Sequence, residues 1–261
     1  MRYAKVIDNK PVLYFQYVPP YTLKDQASSE QLKRLSYIGA ELHEGSVYYY
    51  WWAFLRLNAE YIECCENGGA GRMAALYEDF GDVRSNSFWN WWIGGGRMLF
   101  CEPPEDEILS PPHIPADDDA SNRVLLSIPV TGDLDRTMAE LRKILKPAFD
   151  EERKHRRENG QSESGYSRAR YQVRKNTTPE SLYARLKVWE AKKNNPDASN
   201  FVIGVESGIV DRLADNSGSA DLTNVVGATV SRYIKEAKAL IYNVGEGRFP
   251  DFSGPSKAEN R

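Results

Sequence analysis

The chain has 261 residues, 41% of them hydrophobic and 27% charged, and a formal net charge of −3; these values allow one large or two small globular domains with a real core. No apolar run reaches the roughly 18 residues a spanning helix needs, and three cysteines, two of them adjacent at Cys64 and Cys65, give no disulfide framework. The start, Met1-Arg2-Tyr3-Ala4-Lys5, leads into Asp8 and Lys10 and does not read as a signal peptide, so a cytoplasmic protein is expected.

In chain order, Arg2–Ile7 and Val12–Val18 predict a β-hairpin turned by Asp8-Asn9-Lys10-Pro11, and Pro19-Pro20 stops its second strand. A helix capped near Ser28 or Ser29 follows, with Leu32, Leu35, Ile38 and Leu42 on one side. Ser46 is placed to cap one long helix over Val47, Tyr50, Trp51, Phe54, Asn58, Tyr61, Ile62 and Cys65, ended by Gly68-Gly69. Tyr48, Tyr49 and Trp52 widen its apolar surface beyond a single stripe, so burial on more than one side is expected. Short helices around Met73–Tyr77 and Phe88–Trp92 precede the break at Gly94-Gly95-Gly96.

The near-neutral total hides a change of sign. Residues 102–119 carry seven acidic side chains and no Lys or Arg, whereas residues 153–193 carry twelve Lys or Arg against four Asp or Glu. Five prolines in the acidic stretch oppose helix and packed strand, so it reads as an exposed linker. The cationic surplus is the footprint of a surface for a polyanion.

Beyond the linker, Arg123–Val130 reads as a strand. Asp133 caps a helix with Leu134, Met138, Leu141, Leu145 and Ala148 on its apolar side, and residues 151–177 have the composition of a mobile connector. Three helical elements are predicted last: 178–193, entered through Thr178 and Pro179, then 201–213, then 225–243. The fold class is therefore α+β and mainly α-helical. The expected organisation is an aromatic-rich α+β domain over 1–101, a linker over 102–120, a mostly helical basic domain over 121–250 and a disordered tail over 251–261.

The last helix carries the functional reading. Val226, Val230, Tyr233, Ile234, Ala237, Leu240, Ile241 and Val244 form its apolar face, and Thr229, Ser231, Arg232, Lys235 and Lys238 are read as its solvent side. Hydroxyls and Arg can reach base edges while Lys meets phosphate, the requirement for a recognition helix. Three consecutive helices match the count of a helix-turn-helix domain, although the last loop, at about ten residues, exceeds the three or four of the tight form. Upstream, Arg168, Arg170, Arg174 and Lys175 are candidates to neutralise phosphates. The competing reading is an ordinary amphipathic helix with a solvated outer side.

The string Thr229-Val230-Ser231-Arg232-Tyr233-Ile234-Lys235-Glu236-Ala237-Lys238, closing in Gly247-Arg248-Phe249-Pro250, resembles the C-terminal end of uncharacterised proteins carried on bacterial integrative elements and plasmids. Tyr77–Val83 with Phe88-Trp89-Asn90-Trp91-Trp92, and the Ser127-Ile128-Pro129-Val130 strand, resemble theirs too. The resemblance implies a mobile-element setting and carries no activity with it.

Other chemistry is weaker. Tyr48, Tyr49, Tyr50, Trp51, Trp52, Trp89, Trp91 and Trp92 could stack on unpaired bases, but few cations interleave them, and a core or a protein-partner surface is the better reading. Asp79-Phe80-Gly81 lacks the rest of a kinase, and Gly94-Gly95-Gly96-Arg97 lacks the ending of a phosphate loop. His43, Cys64, Cys65, Cys101 and His113 do not have zinc-site spacing. Glu78, Asp79 and Asp82 could hold Mg²⁺ for a nuclease, or simply cap and solvate turns.

The expectation is thus a DNA-binding regulator of a mobile genetic element with no catalytic residues, metal or cofactor. Its partner is double-stranded DNA, without a membrane, and a homodimer is the symmetric form common to such regulators. The alternatives are a protein-interaction adaptor in a phage-defence or element-maintenance complex, using the aromatic half, and a metal-dependent nuclease.

Overall fold

The computed structural model describes residues 3–5, 13–21, 28–84, 87–102, 126, 128, 133–158, 167, 169–174, 177–214 and 222–254. The chain forms two compact units, one of Met1–Glu102 with Tyr166–Arg261 and the other of Pro103–Gly165. The class is α+β and mainly helical, as the sequence implies. None of the described helices is long and apolar enough to cross a membrane.

In the first unit, β1 (Tyr3–Lys5) pairs antiparallel with β2 (Leu13–Phe15), Ala4 opposite Tyr14. The predicted hairpin is present, and a third strand joins it: β3 (Cys101–Glu102) lies antiparallel to β2, with Phe15 opposite Cys101. Helix α1 (Ser29–Ile38) ends before Leu42, which starts a 3-10 turn over Leu42–Gly45.

The long helix expected from Ser46 to Gly68 is two helices, α2 (Val47–Leu55) and α3 (Ala59–Glu66). Asn58 causes the break: its side-chain oxygen accepts the Tyr61 N–H at 3.0 Å and caps α3. Ser46 holds the N-cap position of α2, but its hydroxyl donates to Val18 O at 2.8 Å rather than into the helix. Helix α2 reads Val-Tyr-Tyr-Tyr-Trp-Trp-Ala-Phe-Leu, and every residue but Tyr49 is buried, the consequence of being apolar all round. α4 (Ala74–Phe80) and α5 (Phe88–Gly94) complete the half, α5 capped by the Ser87 hydroxyl.

Four C-terminal helices belong to the same unit: α7 (Pro179–Asn194), α8 (Asn200–Glu206), α9 (Ile209–Ala214) and α10 (Leu222–Gly245). The single predicted element over 201–213 is divided at Ser207-Gly208, where Gly208 has φ +69°. Two cores lie side by side. The larger joins α2 and its aromatic neighbours to Leu182, Tyr183 and Leu186 of α7 and to Ala237, Leu240 and Val244 of α10. The smaller joins Ala184, Val188 and Ala191 of α7, Ile203 of α8, Ile209 of α9, and Val226 and Val230 of α10. The two ends of α10 therefore serve different cores. Residues read separately as N- and C-terminal parts share the larger one.

Residues 251–253, expected to open a disordered tail, are tied to the fold. Asn243 Nδ2 donates to Asp251 O at 3.0 Å and to Ser253 O at 2.7 Å, and Phe252 packs on the larger core.

In the second unit, Asp133 caps α6 (Leu134–Glu158) through a 2.9 Å bond from Arg136 N–H. This helix continues past Ala148 and through Pro147, so residues 151–158 are helical, not connector. Leu134, Met138, Ile144 and Phe149 are exposed along it. Almost all of the predicted strand Arg123–Val130, and the linker from residue 103 to 120, lie outside the described residues.

Candidate nucleic-acid interface

Apolar residues at 226, 230, 237, 240 and 244 fix which side of α10 is buried, and so which side is left for solvent. Ser231, Arg232, Lys235 and Lys238 are exposed. At about 100° per residue, Ser231, Lys235 and Lys238 fall within about 60° of one another, and Arg232 lies about 60° to the other side of Lys235, about 120° from Lys238. Thr229 does not join them. It lies about 60° further on, beyond Arg232 and toward the buried side, and is half-buried where the other four are exposed, so five solvent-facing residues reduce to four.

The charges on this side are unevenly engaged. Lys235 and Lys238 make no ion pair among the described residues. Arg232, with a side chain 62% exposed, has its Nε 4.0 Å from Glu236 and its guanidinium 5.3 Å from the Tyr233 ring. Glu236 is already matched from beneath, because Arg185 of α7 meets it at 2.6 Å. That guanidinium also donates to Ser181 O at 2.7 Å and lies between the rings of Tyr233 (4.5 Å) and Phe252 (5.0 Å). With Glu236 offset from the α7 side, the exposed side of α10 is left cationic.

The chain matches no family model, and no curated protein or solved structure is similar to it.

The upstream candidates divide. Arg168 and Lys175 lie outside the described residues. Arg170 is exposed, yet its Nη2 meets Asp79 Oδ1 at 2.6 Å, so a carboxylate of the N-terminal half already holds it. Arg174 is half-buried. Its N–H donates to Phe249 O at 2.9 Å, and burial, then the Arg248 charge, lower its pKa against the pull of Asp251. Arg170 and Arg174 are thus built into the fold, not into a free phosphate-facing row. The short turn in the C-terminal helices joins α8 to α9, whereas the connection from α9 to α10 falls on residues 215–221, outside the described ones.

The other candidates have structural occupations. Tyr48, Tyr50, Trp51, Trp52, Trp91 and Trp92 are buried, and Tyr49 and Trp89 half-buried, so the aromatic block is core and not a stacking platform. Trp51 lies at its centre, 5.2 Å from Phe100, 5.7 Å from Tyr171 and 5.4 Å from Phe249; each such pair contributes about 0.5–1.5 kcal/mol beyond burial. Asp79, with its side chain 8% exposed, takes Arg170 and the Tyr171 hydroxyl at 2.6 Å. Asp82 is bound by Arg84 at 2.7 Å, and the Arg84 hydrogen bonds hold its carboxyl below the usual range. Neither carboxylate is left for Mg²⁺ without giving up its cation. Among the described residues no three His, Cys, Asp or Glu side chains converge as a metal site. Cys64 and Cys65 are buried thiols, and His43 stacks among aromatic rings.

Two residues the sequence reading did not weigh organise the C-terminal end. Asn243, 1% exposed, accepts from Arg248 Nη2 at 2.9 Å and holds the tail beyond Phe249. An Asn placed where the apolar series of α10 continues is the only sequence sign of this.

Proposed function

We propose that this protein binds double-stranded DNA through the exposed side of α10. Ser231 and Arg232 reach base edges, while Lys235 and Lys238 contact phosphates. The observation that carries the reading is the juxtaposition itself. Three cations and a hydroxyl project from one exposed side of a 24-residue helix that two cores hold from its other side. A rigid, cationic helix with short polar groups among its charges is suited to a groove. The sequence resemblance supports the setting, a transcriptional or maintenance regulator of a mobile genetic element. The compartment we infer is the cytoplasm, where the three thiols stay reduced.

The test is binding to random-sequence duplex DNA over a salt series. Affinity should fall with salt, with a logarithmic slope of about −0.9 per phosphate neutralised. Lys235→Gln with Lys238→Gln should lower the slope by about 2. Because neither lysine makes an ion pair among the described residues, the double variant should melt with the parent protein. No binding at low salt, or an unchanged slope in the variant, would overturn the assignment.

A further inference from the structure

Helix α6 has the pattern of a core helix but covers nothing with it. Leu134, Met138, Leu141, Leu145 and Ala148 recur at alternating steps of four and three, the seam spacing of a coiled coil. Ile144 and Phe149 widen this stripe, one on each flank. Yet no described residue of the helix is buried, and Leu134, Met138, Ile144 and Phe149 are 46% to 72% exposed. Amphipathic helices owe most of their stability to the apolar side they cover, and a contiguous patch of large apolar side chains marks an interaction surface.

The charges beside the stripe identify its occupant. On the outer side of the helix, Arg136 lies 3.6 Å from Glu140 and Lys146 lies 2.5 Å from Asp150, so these cations are matched within α6. Asp135 and Arg142 differ. One heptad apart, they border the seam on the flank of Met138 and Leu145, and neither makes an ion pair among the described residues.

A second copy of the chain presents the same stripe. When a two-fold axis sets two such helices antiparallel, this flank meets the same flank of its partner. One register lays Leu134 on the partner's Leu145 and Met138 on the partner's Leu141. It also sets Asp135 against the partner's Arg142, twice by symmetry. A slip of one heptad either way brings Arg142 against its own copy or Asp135 against its own copy, and like charges oppose both. A parallel pair separates Asp135 from Arg142 and stacks Glu152, the seam position after Ala148, on its own copy. The charge pattern therefore selects one alignment of one partner.

We propose that α6 is a dimerisation helix. It pairs antiparallel with α6 of a second copy of this chain across Leu134, Met138, Leu141 and Leu145, and reciprocal Asp135–Arg142 ion pairs set the register. The seam is short, so the dimer is of micromolar strength. The pairing does not rest on the α10 reading.

The experiment is sedimentation equilibrium of the full chain at about 1 to 300 µM, where a monomer–dimer equilibrium is expected. Leu145→Asp should leave a monomer throughout. Neither core includes Leu145, so the variant should keep the parent's main thermal transition. Asp135→Arg and Arg142→Asp should each weaken the dimer about tenfold or more, because two attractions become two repulsions. Combined, they re-form both pairs in reverse and should associate more tightly than either single variant. Lys143→Asp, on the outer side, should dimerise like the parent. A monomeric parent, a dimer that survives Leu145→Asp, or a double variant no tighter than the singles would overturn the proposal. Phosphatidylserine vesicles form a second arm: a monomeric parent that binds them through Leu145 would give the stripe to lipid and remove the second copy. Dimerisation without duplex DNA binding would sink the α10 reading and leave α6 standing, and duplex binding by a monomer would do the reverse.

Discussion

Asn58 Nδ2 donates to Ile241 O at 2.7 Å, joining residues 183 positions apart in the chain. The same side chain caps α3 through its oxygen, so one amide both starts a helix and holds the far end of another. Asn58 is 6% exposed, which leaves no room for water to replace either bond. The interruption between α2 and α3 is thus the place where the last turns of α10 dock, and the cationic side of α10 is oriented from there.

Asn58→Ala should therefore cost more than a surface cap. Loss of the cap costs about 0.5–2 kcal/mol, and loss of the bond that the Ile241 carbonyl accepts beyond its place in the α10 ladder adds about 0.5–1.5 kcal/mol. Asn58→Asp separates the two, since it keeps the cap but sets a carboxylate against the Ile241 carbonyl. Urea unfolding of the three proteins should rank the parent first and both variants well below it. An Asn58→Asp variant as stable as the parent would remove the Ile241 bond from the account.

Helices α8 and α10 approach closely at Gly204. A Cβ there would lie 2.3 Å from Val226 Cγ1, below any real contact, and 3.5 Å from Val230 Cγ2. Gly204→Ala should destabilise by about 1–3 kcal/mol through overpacking, despite the higher helix propensity of Ala. Val226→Ala alone should also destabilise, by leaving a cavity. Combined, the two should cost less than the sum of their separate effects, because the new methyl fills the space the old ones vacate. Strict additivity in a thermal-unfolding cycle would mean that the helices do not cross at this point.

What could be read in the chain was what depends on neighbours in sequence. The all-apolar run of α2 announces burial on every side, and the spacing of Val226, Val230, Ala237, Leu240 and Val244 announces which side of α10 is free. The misreadings share a different cause: each turns on a partner far away. Asn58 looks like one more residue of a helical series until the Ile241 carbonyl draws its amide. Arg170 looks free for phosphate until Asp79, from a helix ninety-odd positions earlier, meets it. Cys101–Glu102 are too few to announce a strand, and pair only because β2 offers an edge. Thr229 differs, since helix geometry alone carries it past Arg232 toward the buried side of α10.

His43 provides a pH test of the aromatic half. Its ring stands edge-on to Tyr49 at 4.8 Å, stacks on Phe88 at 5.5 Å, and lies 5.9 Å from Trp89. Burial lowers its pKa below the ordinary value, against the opposing pull of Glu44 and Glu41. The fold therefore prefers the neutral imidazole. As pH falls through the unfolded value of about 6.5, the unfolded chain takes up a proton that the folded chain resists. Stability should accordingly decline from about pH 7.5 downward and level off once the folded pKa is passed. His43→Phe keeps a ring among Tyr49, Phe88 and Trp89 and removes the proton. Because every other titrating group is common to both proteins, the difference between their urea midpoints at high and low pH isolates this ring. The parent should lose more stability than the variant between pH 8 and pH 5.5. Parallel losses would show that His43 reaches solvent and titrates as it does in the unfolded chain.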